Sequence, residues 1–478
     1  MPRTRNAVIW TFAITAIALF MVALDNLVVT TALPVIRREL NASVADLEWT
    51  VNAYTLTFAV LLLTGAALGD RFGRRRVFVI GLGIFTIGSA LAALAPTSTA
   101  LILARAIQGV GGAIVTPLTL TILSAGVPAN RRPLALGAWG GIGGLAIAIG
   151  PVVGGAITQG LDWHWIFWLN VPIGIVAMFL AYFRLDETHG PEGRLDIVGL
   201  ALASAGLLGV VYGVIHGNDL GWTDTQVLGA IIGGAALLVG FVLWELRTRS
   251  PMLPPHLFRS RGFTAANAAS LLMYFGMFGS IFLLSQYFQI VLGLNPFEAG
   301  LRVLPWTAMP IFVAPIAGVF SGRIGARPIV VTGLALMALG LGWIAAIASP
   351  TTDYAAFIVP FIVSGAGMGM FFAPIANVVL SAVRPEEEGK ASGANNAIRE
   401  IGGVFGVAVL AAVFTANGSY TTPQAYVDGL VPAMWLGALI VAISAVAGLF
   451  IPSHVRGEQA HAAPEPAPTP TAGTSATA

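Results

Sequence analysis

An all-α polytopic membrane protein, with fourteen transmembrane helices arranged as two six-helix halves plus an extra central pair, is the fold this sequence predicts. Three observations carry it. Apolar residues make up 56% of the 478 residues and charged residues only 10%, against about 25% charged in an ordinary soluble domain. Long apolar runs recur from end to end, and one arginine-rich loop occurs twice. The runs are continuously apolar rather than alternating, which excludes a β-barrel. There is no cysteine, so disulfides and thiolate metal sites are excluded. The histidines His164, His189, His216, His256, His454 and His461 lie in or near loops without metal-ligand spacing. No metal and no cofactor is expected, and a net charge of +2 leaves no electrostatic footprint for nucleic acid.

A spanning helix needs about 20 apolar residues, and the runs supply them in order. The first six are 8–32, 50–69, 77–95, 99–123, 134–158 and 165–184. A central pair follows at 196–216 and 226–246. The last six are 263–292, 300–321, 328–348, 355–381, 391–415 and 430–451. Arginine and lysine then set the orientation. With the N-terminus in the cytoplasm, nineteen of the 24 basic residues fall on that side; only Arg37, Arg38 and Arg302 fall outside, and Arg105 and Arg399 lie within runs. Both termini are therefore expected in the cytoplasm. Arg3 and Arg5 precede the first run as in a secretory signal, but the run is too long and lacks a small-residue cleavage site, so it reads as a retained span. After His454 the chain is rich in Pro, Ala and Thr, the composition of a disordered tail.

The repeat fixes the internal organisation. Leu68-Gly69-Asp70-Arg71-Phe72-Gly73-Arg74-Arg75-Arg76 follows the second run, and Gly318-Val319-Phe320-Ser321-Gly322-Arg323-Ile324-Gly325-Ala326-Arg327 follows the tenth. Aligning Arg71-Phe72-Gly73 with Arg323-Ile324-Gly325 gives an offset of 252 residues. This predicts a six-helix bundle over 1–185, two inserted helices over 186–250, a second bundle over 251–452 and a cytoplasmic tail over 453–478. Repeated halves around a midplane site are the plan of many secondary transporters.

Here the residues support a named resemblance. The sequence resembles the major facilitator superfamily, and within it the fourteen-helix drug:proton antiporters of the multidrug efflux type, over essentially all of 8–451. The family's loop motif is seen as Asp70-Arg71-Phe72-Gly73-Arg74-Arg75. Leu101 to Arg105 with Gln108-Gly109 and Gly111-Gly112 resembles its fourth-helix motif. Its fifth-helix antiporter motif is seen as Gly150-Pro151-Val152-Val153-Gly154-Gly155, with Ala146 where the family has its first Gly. Group-specific pieces are Leu24-Asp25 through Ala32-Leu33-Pro34, Trp49 with Tyr54, and Trp163-His164-Trp165-Ile166-Phe167 through Asn170-Val171-Pro172. The resemblance implies proton coupling at Arg105 and a loop at 70–76 that stabilises the outward-facing state.

Several residues read as functional in their own right. Asp25 lies about two-thirds through an apolar run, where a carboxylate is costly unless paired, hydrated or protonated. Such an acid can exchange a proton for a cation; a helix-packing hydrogen bond is the bland alternative. Arg105 cannot shed its charge and must find polar partners or water. Arg399 and Glu400 fall within the thirteenth run; adjacent residues diverge by about 100° on a helix, so they need not pair. Glu400 reads as a second titrating or cation-attracting group, or as half of a snorkelling pair. Among Asp70, Arg71, Arg74 and Arg75, charges at a helix end can pair across the halves. Pro151 removes a backbone bond, and Gly140, Gly144, Gly150, Gly154 and Gly155 permit close helix approach. For the substrate cavity, Phe282, Gln286 and Gln289 share a face with Phe275 and Phe278. Tyr54, Trp139, Trp306, Met368, Phe371 and Phe372 could join them, and Asn395 and Asn396 complete the set, although an aromatic stripe is as compatible with core packing.

A proton-coupled antiporter exporting hydrophobic, cationic or amphipathic compounds by alternating access is the favoured function. Export of one dedicated metabolite, antibiotic or lipid stays open on the same scaffold. A receptor would call for a sizeable extramembrane domain, and an enzyme for a nucleophile with its base or clustered His, Asp and Glu, none of which the sequence offers. No Gly-x-x-x-x-Gly-Lys-Ser/Thr occurs, so ATP is not the direct fuel. The expected partners are the lipid bilayer, protons and small substrates, with no nucleic acid, and the chain is expected to be a monomer in the bacterial inner membrane.

Overall fold

The computed structural model describes residues 5–128, 132–190, 195–384 and 387–452. The tail expected beyond His454 lies outside them, as do Arg3, Arg131, Arg194 and Arg456 of the charge count. Helices α1 (Arg5–Glu39), α2 (Val44–Phe72), α3 (Arg74–Ala93), α4 (Ser98–Gly126) and α5 (Arg132–Gly160) are followed by one turn, α6 (Trp165–Trp168), and by α7 (Asn170–Arg184). Then come α8 (Ile197–Leu220) and α9 (Thr225–Glu245). A 3-10 turn at Pro255–Arg259 leads into α10 (Arg261–Ile290), α11 (Pro296–Thr307), α12 (Met309–Ile324), α13 (Ala326–Ile347), α14 (Ala355–Ser381), α15 (Glu388–Asn417) and α16 (Pro423–Gly448). Thirteen helical stretches among the described residues are long and apolar enough to cross a membrane. The 29-residue α5, packed along α1, is a further apolar helix of the same length class. Every one of the fourteen expected runs falls on a helical stretch. Two are interrupted: 165–184 at Leu169, and 300–321 at Ala308, where Pro305 and Pro310 flank the break.

The repeat is legible in backbone chemistry. Gly73 ends α2 and opens α3 at φ 102°, and Gly325 does the same between α12 and α13 at φ 88°. Only glycine occupies that region without strain. At the other end of the same helices, Ser43 and Asp46 form a capping box before α2, and Asn295 and Glu298 form one before α11. Both pairs stand at the 252-residue offset, so each half satisfies its orphan helix-terminal N–H groups by the same device.

Packing is inverted relative to a soluble protein. Phe179, Phe183, Phe312, Ile316, Leu339 and Trp435 are exposed, as lipid-facing side chains must be, whereas Asp25, Arg105, Gln108, Asn170, Gln286 and Asn395 are buried. The inserted α8 covers the seam where α2 meets α15. Leu56 and Val60 of α2, Leu207 and Val211 of α8, and Val404 of α15 share one apolar cluster. Asn218 of α8 donates to the Ala412 carbonyl at 2.5 Å and to Thr415 Oγ1 at 2.7 Å. α9 packs on α8 and exposes most of its other side chains.

Helices alternate in direction, so the molecule has a Gly73 end and an Arg37 end, and the two halves are sealed together at the latter. A Cβ on Gly155 would sit 2.2 Å from the Pro296 carbonyl oxygen, and one on Gly300 would sit 2.2 Å from that of Pro151. Ser285 donates to the Thr30 carbonyl at 3.1 Å, Gln289 to that of Thr31 at 2.8 Å, and Thr307 to that of Ala148 at 2.9 Å. Gly150 and Gly154 serve a different contact, against Leu27 and Val28 of α1 within the same half. Gly144 departs from its expected role: no neighbouring helix comes within 4 Å of where its Cβ would be.

Candidate functional site

Asp25, Arg105, Gln108, Ser89 and Asn170 converge from α1, α4, α3 and α7 into one sealed polar cluster. Asp25 is 2% exposed and Arg105 0%. Arg105 Nη1 is ion-paired with Asp25 Oδ2. The other carboxylate oxygen, Oδ1, accepts from Gln108 Nε2 and from Asn170 Nδ2, each at 2.8 Å. Ser89 Oγ braces both amides, at 2.6 Å from Gln108 Nε2 and 3.2 Å from Asn170 Nδ2. A buried ion pair repays its desolvation only when the remaining lone pairs are satisfied, and this carboxylate has three donors.

Arg105 does not depend on Asp25 alone. It also donates to Gln108 Oε1 at 2.7 Å and, through Nε, to the Thr50 carbonyl at 3.2 Å. Its guanidinium lies 4.3 Å from the Tyr54 ring centroid and 5.8 Å from that of Phe167, cation–π contacts that a dry site strengthens. Nη2 is buried without a partner. Tyr54 is held in turn by its hydroxyl, which donates to the Val22 carbonyl at 3.3 Å. At the repeat offset Asp25 falls on Met277 and Tyr54 on Trp306, so the second half carries no copy of the ion pair.

The second half has its own charged pair in α15. Arg399 lies 4.9 Å from the Tyr274 ring centroid, and no ion pair joins it to Glu400 among the described residues. Arg399 Nε and Glu400 Oε2 are both buried without partners. Glu400 lies within electrostatic reach of Tyr54 across the seam between halves.

The residues expected in a cavity are dispersed among several sites. Trp306, Met368, Phe371 and Phe282 are buried in the second-half core, Trp306 stacked on Phe361 at 6.0 Å. Gln289 belongs to the seal through Thr31, whereas Gln286 stays within the second half, its Oε1 accepting from Tyr420 at 2.8 Å. Asn395 is bonded to Asn267 at 3.1 Å and Ser270 at 3.0 Å, Asn396 is half-buried, and half-buried Trp139 donates to Thr119 at 3.1 Å. Tyr54 belongs to the arginine site. In this conformation most of these side chains pack against each other.

Loop 70–76 is tied to its own half, where pairing across the halves was expected. Arg74 Nε and Nη2 each lie 2.8 Å from Asp70 Oδ1. Glu187, which sequence reasoning does not single out, accepts from the backbone N–H groups of Arg75 at 2.9 Å and Arg76 at 3.2 Å. It thereby caps α3, whose N-cap Gly73 has no side chain to do so. A Cβ on Gly73 would lie 2.7 Å from the Glu187 carboxyl carbon. Arg71 lies over its neighbour Phe72, 5.1 Å from the ring centroid.

Known proteins share this architecture. The model of the Major Facilitator Superfamily matches residues 15–407 and 266–476. Multidrug resistance protein Stp of Mycobacterium tuberculosis is 36% identical over 408 residues, 85% of this chain and 76% of that protein. Cephamycin export protein CmcT of Amycolatopsis lactamdurans is 37% identical over 410 residues, covering 84% of each. Among solved structures, a D-xylose-proton symporter superposes with a TM-score of 0.67 at 14% identity, covering 94% of this chain and 99% of that one.

Proposed function

Because the chain belongs to the major facilitator superfamily, we propose that it exports hydrophobic, cationic or amphipathic compounds in exchange for protons. It is a multi-pass membrane transporter with bacterial relatives that confer drug resistance or export antibiotics. The observation that carries proton coupling is the Asp25–Arg105 pair, sealed from water and supported by amides. Protonating Asp25 would remove the charge attraction of the pair, yet would leave Arg105 with Gln108 Oε1, the Thr50 carbonyl and the Tyr54 ring. On this reading the site would tolerate either protonation state of the acid. That is what a coupling switch requires.

The nineteen-to-three division of basic residues supports cytoplasmic termini. The Gly73 end is then cytoplasmic, and the sealed Arg37 end faces outward. Glu400, half-buried in the opposite half with Oε2 free of any hydrogen bond, is the second attractor for a cation. Glu400→Gln should raise the KM for a cationic dye by about tenfold, or about 1.4 kcal/mol, while leaving a neutral substrate within about twofold. Equal loss for both would assign Glu400 to the fold. Asp70→Asn, which weakens the clip on Arg74, should slow turnover by about tenfold with little change in apparent affinity; parallel loss of both would argue against a conformational role.

A dedicated exporter of one antibiotic is the second reading. It is favoured by relatives that are named for single compounds, among them a tetracenomycin C resistance and export protein from Streptomyces glaucescens. The test for both is purified protein in liposomes with an imposed pH gradient and a panel of dyes, antiseptics and antibiotics. Gradient-driven export of many compounds supports the first reading, and of one the second. No gradient-driven movement of any compound would remove both.

A further inference from the structure

α2 presents a third face that neither the arginine site nor the contact with α8 uses. Glu48, Asn52, Thr55 and Ala59 recur at helical spacing along it. Leu63, further along, meets Gly393 of α15, so this face lies on the seam between halves. Glu48 is 2% exposed and Asn52 0%. Glu48 Oε2 and both polar atoms of the Asn52 amide are buried without a partner. Thr55 donates to its own helix, to the Val51 carbonyl at 3.1 Å.

The groups facing Glu48 do not neutralise it. From the exposed end of α8, Asp219 adds a like charge within electrostatic reach. From the connection between α15 and α16 comes Tyr420, whose hydroxyl is engaged with Gln286. Arg37 of α1 lies 3.8 Å from the centroid of the Tyr420 ring and forms no ion pair with Glu48. The charged residues of α15 all lie in its other half, at Glu388, Lys390, Arg399 and Glu400. A carboxylate with one oxygen buried away from any donor is disfavoured, whereas a carboxylic acid beside a free amide is not.

We propose that Glu48, with Asn52 one turn along, is a second proton-binding site, and that a proton bound there is what permits the Arg37 end to close. The inference rests on the proton-driven reading above and adds a loading step to it. When the halves part at this end, Glu48 meets water and ionises. The seam closes again only after the carboxylate takes up a proton from that side, which couples closure to proton loading.

The absence of native cysteine makes the test direct. Leu161→Cys and Thr421→Cys place spin labels on exposed positions of the two halves at the Arg37 end, and the distance between them is measured in liposomes at pH 5 and pH 8. The open-to-closed ratio should rise about tenfold or more in the otherwise unchanged protein, since one proton is released on opening. Glu48→Gln and the apolar Glu48→Met should hold the closed distance at both pH values, within about twofold. Glu48→Asp should restore the response. A wild-type response in Glu48→Gln, no response in the parent, or no response in Glu48→Asp would each overturn the proposal. Neither substrate nor gradient is used, so failure of the exporter reading leaves this measurement standing.

Discussion

Asp25→Asn should lower pH-gradient-driven export by more than about 100-fold while the protein still inserts and folds. The geometry gives the reason. Asp25 offers Oδ2 to Arg105 and Oδ1 to two amide donors, and asparagine has only one acceptor to divide among the three. One donor set is left facing an NH2 group, a loss of about 1.5–3 kcal/mol for a bond to a charged group. Arg105 keeps its contacts with Gln108, Thr50 and Tyr54, so the arginine is not stranded. Downhill substrate exchange should therefore survive where uphill export does not. Retention of uphill export at the wild-type rate, read as dye extrusion from liposomes under a fixed gradient, would separate Asp25 from coupling.

Gly300→Val should be nearly as damaging, by a purely steric route. The backbone at Gly300 meets Pro151 so closely that even a Cβ would sit 2.2 Å from its carbonyl oxygen. Overpacking such a contact costs about 1–3 kcal/mol, and the cost falls only on the conformation sealed at the Arg37 end. Populations should shift toward the opposite state by on the order of ten- to a hundredfold, and transport should drop accordingly. Labels across the Arg37 end should report the longer distance. Normal closure with normal transport would show that the α5–α11 contact does not govern this gate.

Apolar runs bounded by glycine and charge locate every helical stretch from sequence alone, because in lipid the backbone must satisfy itself and hydropathy maps directly onto helices. Asp25 and Arg105 stand out because a charge inside an apolar run is conspicuous. Their partners Ser89 and Asn170 do not, since which helix faces turn toward each other is decided by bundle packing rather than by local spacing. Glu187 escapes notice for the same reason: it caps a helix 112 residues earlier in the chain. Glu48 is hidden differently, because an acid in the second turn of α2 reads as ordinary complementation of the helix dipole. The aromatic stripe of α10 shows the limit of periodicity, which is the same for a side chain lining a void and one packed in a core. Phe282, for example, is buried in the second-half core in this conformation.

Obligatory exchange of substrate for protons can be read by running the protein backwards. Liposomes holding purified protein, without ATP and without an imposed pH gradient, receive a steep gradient of a transported dye while internal pH is recorded. Substrate moving one way should drive protons the other, building a pH difference that an uncoupler collapses and that Asp25→Asn does not generate. At membrane potentials near 100 mV one proton corresponds to about 2.3 kcal/mol, enough to support a concentration ratio of tens. Dye movement with no opposing proton flux, or with protons travelling in the same direction, would contradict the account.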